Sequence, residues 1–424
     1  MNAAKPANLS VDQIKLSEPE FWMRPIAERE GAFATLRRER PISFHKELSF
    51  GPIPAGPGYW ALTRYADILE ASRTPEIFWS GRGSNIGDLP EPFLDFFGSM
   101  INMDDPRHAR LRRIVSRGFT PRVLANVEAD VQRVASRIVD DICEKGSCDF
   151  VTEVAATLPL EIICNMMGID RSEHRYVFDR TNVILGAGDP EYVSDPTLII
   201  PALLQAGADL AELMRNLAAK RQTDPQDDLT STLIHAEVDG ERLEPQELAS
   251  FFVLLVVAGN ETTRNAIAHG LLALHEHPEQ RRIWESDFAA IAPTAVEEIV
   301  RWATPVIHFR RTATRDAELG GQAIKAGEKV VLWYASANRD EAAFPNADRF
   351  DVRRTPNEHV GFGGPGPHFC LGAHLARREI SVIFQELFKR LPDIEVSGPP
   401  ERLASLFING IKHLPASFTS QRRA

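Results

Sequence analysis

A mainly helical fold with a small β component is what this sequence predicts, and three observations carry the prediction. From Tyr65 to Leu391 apolar residues recur at three-to-four spacing, as in Val123 to Glu144 and Ala202 to Arg221. Strand-like runs are short and confined to two places, residues 42–63 and 317–333. The stretch Pro245 to His277 contains no proline after its first residue, so one helix of about 33 residues, near 50 Å long, fits it. The 424 residues would allow two or three domains, but no composition shift, repeat or low-complexity linker marks a boundary. The reading is a flexible N-terminal segment, 1–12, followed by one domain over 13–424.

The elements follow in order. A short helix is expected at Gly31–Arg38. Strands are expected at Ile42–Lys46 and Tyr59–Thr63, joined by the turn-rich Gly51–Gly58 as a hairpin. Strand character returns at Ala317–Leu319, Gln322–Ile324 and Lys329–Trp333. The N-terminal half of the 245–277 helix is apolar on all sides, which means burial. Gly259-Asn-Glu-Thr-Thr263 then interrupts it. A carboxylate and two hydroxyls inside a buried helix cost several kcal/mol, about 2–7 per unpartnered group, unless they find partners. The patch is either where the helix emerges to solvent or a functional kink facing a cavity.

Composition excludes several classes. A hydrophobic share of 43% and a charged share of 25% suit a globular protein with a full core. The net charge of -11 argues against a general nucleic-acid binder. Four cysteines do not make a disulfide framework, so a reducing cytoplasm is the expected location. The longest apolar run, Phe251 to Ala258, is too short to cross a bilayer, so no integral membrane segment is expected.

The strongest local signal is Gly361-Phe-Gly-Gly-Pro-Gly-Pro-His-Phe-Cys370-Leu-Gly372. A Gly/Pro-rich loop delivers a cysteine to the start of a helix expected over Leu371–Leu391. Amides at a helix start favour thiolate over thiol. A thiolate fed by backbone donors suits an axial ligand of haem iron, and glycines let backbone approach a flat porphyrin. The loop also matches G-x-G-x-x-G, but no βαβ unit surrounds it and two prolines remove donors that a pyrophosphate needs. An inert buried thiol or a catalytic nucleophile are the other readings. The density of glycine and His368 favour haem.

This loop resembles the cysteine-ligand loop of the cytochrome P450 family, the haem-thiolate monooxygenases. Gly366 lies four before Cys370, His368 two before and Gly372 two after. The family's phenylalanine lies seven before the cysteine. Here Gly363 takes that place and Phe362 is one earlier, which leaves open which ring shields the sulfur. The resemblance implies the family fold, with a long central helix over haem b and Cys370 as the iron ligand. Glu298-Ile-Val-Arg301 resembles the family's E-x-x-R ion pair, and Arg349 is expected to complete a structural triad. Ala258-Gly-Asn-Glu-Thr-Thr263 resembles the oxygen-activation segment. By that likeness Glu261 and Thr262 form an acid–alcohol pair for proton delivery, with Ala258 and Gly259 beside the cofactor. His108, Arg112, Arg311 and His368 become partners of the haem propionates.

The motifs stand in family order over roughly residues 100–375, most of the chain. Val256–Asn265 and Met103–His108 resemble the mycobacterial group that oxidises terminal methyls of methyl-branched lipids and sterol side chains. That implies hydroxylation of an apolar lipid with O2 and electrons from a ferredoxin and its reductase. A sterol side-chain, terpenoid or polyketide hydroxylase is the alternative substrate reading, and a non-catalytic haem protein binding lipid or gas is the alternative of another class. Residues 107–122 carry six arginines and no acid, a patch suited to an acidic partner. Phe93, Phe96, Phe97, Met100, Ile101, Leu254, Val257, Val306, Ile307 and Phe407 are the candidate lining of an apolar substrate tunnel, each also an ordinary core position.

Overall fold

The computed structural model describes residues 9–49, 53–88, 99–116, 121–238 and 240–423. Among these, the helices of ten or more residues are α1 (Ile26–Glu39), α2 (Arg107–Ser116), α3 (Pro121–Ile142), α4 (Thr157–Met167), α5 (His174–Gly186), α6 (Ile199–Thr223), α7 (Pro245–Glu276), α8 (Phe288–Ala303) and α9 (Ala373–Arg390). The long α7 is the axis of the fold. Its start is fixed by Pro245 in the first turn and by a capping box between Glu244 and Glu247. It packs against α4, α5, α6, α8 and α9, so most of its apolar half is buried, as the sequence predicts, while Leu254, Leu255 and Ala258 stay partly open.

The main sheet has five strands, β1 (Ile42–His45), β2 (Tyr59–Leu62), β3 (Phe78–Trp79), β4 (Phe309–Ala313) and β5 (Lys329–Leu332), in the order β1-β2-β5-β4-β3. β1 and β2 pair antiparallel with Ile42 opposite Leu62, as the hairpin reading expects. The two short strands Ala317–Leu319 and Gln322–Ile324 pair where they were expected. β4 escaped the sequence reading. Its Phe-Arg-Arg-Thr-Ala text looks like surface, yet Arg310 is 1% exposed and Arg311 7%. Arg310 is buried because Asp88 and the carbonyls of Ile86 and Arg82 take up its donors.

Residues 9–12, expected within a flexible segment, make packing contacts in this structure. Val11–Gln13 forms a 3-10 turn capped by Ser10, and Leu9 and Val11 pack on a small cluster that includes Trp22 and Trp333. The helix α7 is also unbroken. Residues 259–263 continue it, and their polar side chains stay inside the protein with partners on α5 and α7. The segment Pro196–Thr223 is long and apolar enough to span a membrane by length and composition, with 28% of its apolar window buried. It belongs to the helical body, where α6 packs on α5 and α7.

Candidate active site

A cavity of about 230 Å³ lies between α7 and the loop before α9. One wall is α7, through Phe251, Leu254, Ala258, Gly259 and Thr262. The opposite wall is the glycine-rich loop with Cys370. Ala258, in the middle of a core helix, is open only because it faces this space.

The loop geometry depends on its glycines. Gly363 and Gly366 have φ of 86° and 146°, backbone that side chains rarely adopt. A Cβ on Gly366 would sit 2.4 Å from the Ser72 carbonyl oxygen. Cys370 donates its amide to the Phe362 carbonyl at 3.0 Å, which closes the loop. Burial pushes the Cys370 thiol up, while the Gly372 amide and the charges of Arg112 and Arg377 pull it down. Burial prevails, so the helix start does not ionise this sulfur unaided. A bound metal cation deprotonates a coordinating thiol outright. The open surface of Cys370 belongs to the cavity.

At one end of the cavity the side chains of His108, Arg112, Arg311 and His368 converge. The two imidazoles are 4.3 Å apart. Arg112 donates to the carbonyls of Pro367 and Phe369 at 2.8 and 2.7 Å, which ties α2 to the cysteine loop. Arg311 donates to the Arg310 carbonyl at 2.8 Å, and among the described residues no carboxylate pairs with it. Burial, then the charges of Arg311, His108 and Arg112, push His368 down to about 3, so it is neutral. A desolvated guanidinium that faces a cavity and has no carboxylate paired with it suits an anionic partner from outside the chain. The haem propionates meet that need, and the sulfur opposite an apolar helix wall suits the iron. The residues fit the group.

Not every expected residue faces this space. Thr262 does, and its hydroxyl donates to the Ala258 carbonyl at 2.7 Å. Glu261 does not. It is 1% exposed, on the other face of α7, where Arg264 pairs with it and Asn265 donates to it at 3.0 Å. Arg264 in turn donates to Asn182 of α5 at 2.9 Å. Gly259 does not open the helix either. It admits Ile163 of α4, whose Cδ1 would lie 2.9 Å from a Cβ there. Met100, Ile101, Leu254 and Val306 line the cavity. Val257, Ile307 and Phe407 do not: Val257 packs in the main core, Ile307 in the cluster with Trp333, and Phe407 against His308 and Phe309. Phe93, Phe96 and Phe97 lie outside the described residues. Phe309, Ile163 and Met166 are lining residues that the sequence reading missed. So is Glu379 of α9, whose carboxyl burial holds well above its ordinary range.

The structural triad needs a correction. Glu298 and Arg301 form a fully buried bidentate pair at 2.8 Å. The third side chain is Arg354, whose Nε donates to Glu298 at 3.0 Å. Arg349 contributes only its backbone carbonyl, which accepts from Arg301 and Arg354 at 3.1 and 2.7 Å, and its own side chain is exposed. Arg349 lies in a turn entered through Asn346 at φ 52°, and the chain has to fold back five residues further before a guanidinium reaches Glu298. The basic patch is also partly neutralised: Glu247 and Glu241 pair with Arg110 at 3.0 Å.

Fold and site together define a haem-thiolate protein. The family model for cytochrome P450 matches residues 291–399. A methyl-branched lipid omega-hydroxylase of Mycobacterium tuberculosis is 52% identical over 422 residues, 99% of this chain and 98% of that one. A steroid C26-monooxygenase of Rhodococcus jostii is 41% identical, over 95% of this chain and 84% of that one. The solved structure of a Mycobacterium marinum cytochrome P450 in complex with pseudoionone superposes with a TM-score of 0.91 at 44% identity, covering 99% of this chain and 100% of that one. The chain belongs to the cytochrome P450 family of haem-thiolate monooxygenases.

Proposed function

We propose that this protein hydroxylates the terminal methyl of a methyl-branched lipid, with O2 and electrons delivered by a ferredoxin, in the cytoplasm. The observation that carries this reading is the chemistry of the cavity wall facing Cys370. Phe251, Leu254, Ala258, Val306 and Phe309 make it apolar, and Thr262 and Thr263 are the polar side chains set into it. Such a wall binds hydrocarbon by burial, at about 25 cal/mol per Å² of apolar surface. A carboxylate head meets no cation on that wall and is disfavoured there. The apolar end of the substrate therefore enters first, and the attacked carbon is set by cavity shape. The omega-hydroxylase and C26-monooxygenase relatives, named for attack at a chain end, agree with this direction.

When bound, haem supplies the activation of O2 and the insertion of one oxygen atom into a C–H bond. Cys370 would hold the iron, and His108, Arg112, Arg311 and His368 would hold the propionates. Thr262 keeps a hydroxyl at the cavity wall, where it relays a proton. Glu261 serves as its acid partner only after release from Arg264, so the pair stands ready rather than assembled. The arginines of α2, beside the cysteine loop, suit an acidic redox protein.

The test is a spectral binding screen of the haem-loaded protein against methyl-branched fatty acids, straight-chain fatty acids and sterols, followed by product analysis. The expected result is a spin-state shift with branched lipids and a terminal alcohol as the main product. Hydroxylation chiefly at internal carbons, or turnover of sterols with no response to branched lipids, would contradict the proposal.

A further inference from the structure

Helix α8 presents two adjacent carboxylates, and only one of them belongs to the E-x-x-R pair. Glu298 points to Arg301 and Arg354. Glu297, about 100° away around the helix, points to the cysteine loop. Its Oε2 accepts from Arg377 Nη2 at 3.0 Å and from His359 Nε2 at 3.1 Å, and its Oε1 accepts from Arg377 Nε. The His359 side chain is 2% exposed, and its Nδ1 accepts from the Gly361 amide at 3.0 Å. That fixes the tautomer, because Nε2 then carries the proton donated to Glu297. Burial alone would raise the Glu297 carboxyl, but the hydrogen bonds of His359 and Arg377 outweigh it and hold it at about 2.

These groups converge on Phe362. The Arg377 guanidinium carbon lies 4.5 Å from the Phe362 ring centroid, and the His359 ring lies 5.7 Å away. The Phe362 carbonyl receives the Cys370 amide. The ring of the residue whose backbone binds the Cys370 amide is thus contacted by both partners of one carboxylate. Arg377, like Arg112, is a cation whose charge bears on the Cys370 sulfur.

We propose that Glu297 is a positioning residue for the haem sulfur: through Arg377 and His359 it fixes the Phe362 ring, and by offsetting the Arg377 charge it sets the reduction potential of the iron. The proposal rests on Cys370 as the iron ligand. Hydrogen bonding and charge around a cysteine ligand tune haem potential without touching the iron. The signs follow from electrostatics. Reduction adds an electron, which a nearby uncompensated cation favours and an uncompensated carboxylate opposes.

The experiment is a reductive titration of the substrate-free holoprotein, without any redox partner, together with the ferrous–carbonyl spectrum. Glu297→Gln leaves Arg377 uncompensated, and the midpoint potential is expected to move up. Arg377→Gln leaves Glu297 uncompensated, and the potential is expected to move down. Arg377→Lys keeps the charge and loses the flat guanidinium over the ring. It should hold the potential near wild type while the thiolate-type carbonyl band loses intensity to the nitrogen-type band. Potentials that move in the same direction in the two Gln variants, or in neither, would overturn the proposal, because a merely structural role has no sign. A wild-type protein without the thiolate-type band would instead overturn Cys370 as the ligand.

Discussion

Glu298→Ala is expected to give protein with little or no haem. The substitution leaves Arg301 and Arg354 as unpaired guanidiniums in the interior, and it removes the acceptor for the Asp351 amide and the Asn357 side chain. Breaking a buried ion pair from one side costs about 3–5 kcal/mol. The segment 346–357 that these bonds hold leads into the cysteine loop, so the loss falls on the haem pocket. Arg354→Ala should show much of the same defect, because its guanidinium binds Glu298 and the carbonyls of Pro345, Asn346 and Arg349. Arg349→Ala should load haem normally, since only its carbonyl takes part. Haem content per protein, read from the absorbance ratio of the purified variants, checks all three. Normal loading of Glu298→Ala would reduce the pair to an incidental contact.

Thr262→Ala is expected to bind haem and substrate as the parent does and to lose coupling. The hydroxyl lies on the cavity-lining face of α7 where the acid–alcohol reading needs it, and alanine keeps the helix and the apolar lining intact. Loss of a positioned proton relay costs about 100-fold or more in the step that it serves. Electrons should then leave as hydrogen peroxide, with product per electron falling about tenfold or more. Measured product and peroxide per NADPH consumed, in a reconstituted electron-transfer chain, test this. An unchanged yield per electron would remove Thr262 from the relay.

The legible parts of this protein are those where local text decides the outcome. The extent of α7 followed from Pro245 and the absence of any further proline up to His277, and the cysteine loop followed from glycines whose backbone few other residues adopt. The four side chains expected to hold the haem propionates were reached through resemblance, and the cavity brings all four together. What stayed hidden depends on side-chain direction over long range. The face of α7 that Glu261 occupies is fixed by Arg264 and by Asn182 of α5, 82 positions away in the chain. The choice of Arg354 over Arg349 depends on a turn. β4 was masked by two arginines whose partners, the loop around residues 82–88 and the cavity, exist only in the folded chain. Val257, Ile307 and Phe407 show the limit of apolar text: hydrophobic residues next to a cavity wall read the same whether they face it or the core.

The central claim is that the Cys370 thiolate holds the haem iron, and the carbon monoxide spectrum of the reduced protein tests it most directly. Fully haem-loaded wild-type protein should give the red-shifted Soret band of a thiolate ligand, and Cys370→His should give the band of a nitrogen-ligated haem. A nitrogen-type band from the wild type, or a spectrum that does not change when Cys370 is replaced, would contradict the claim.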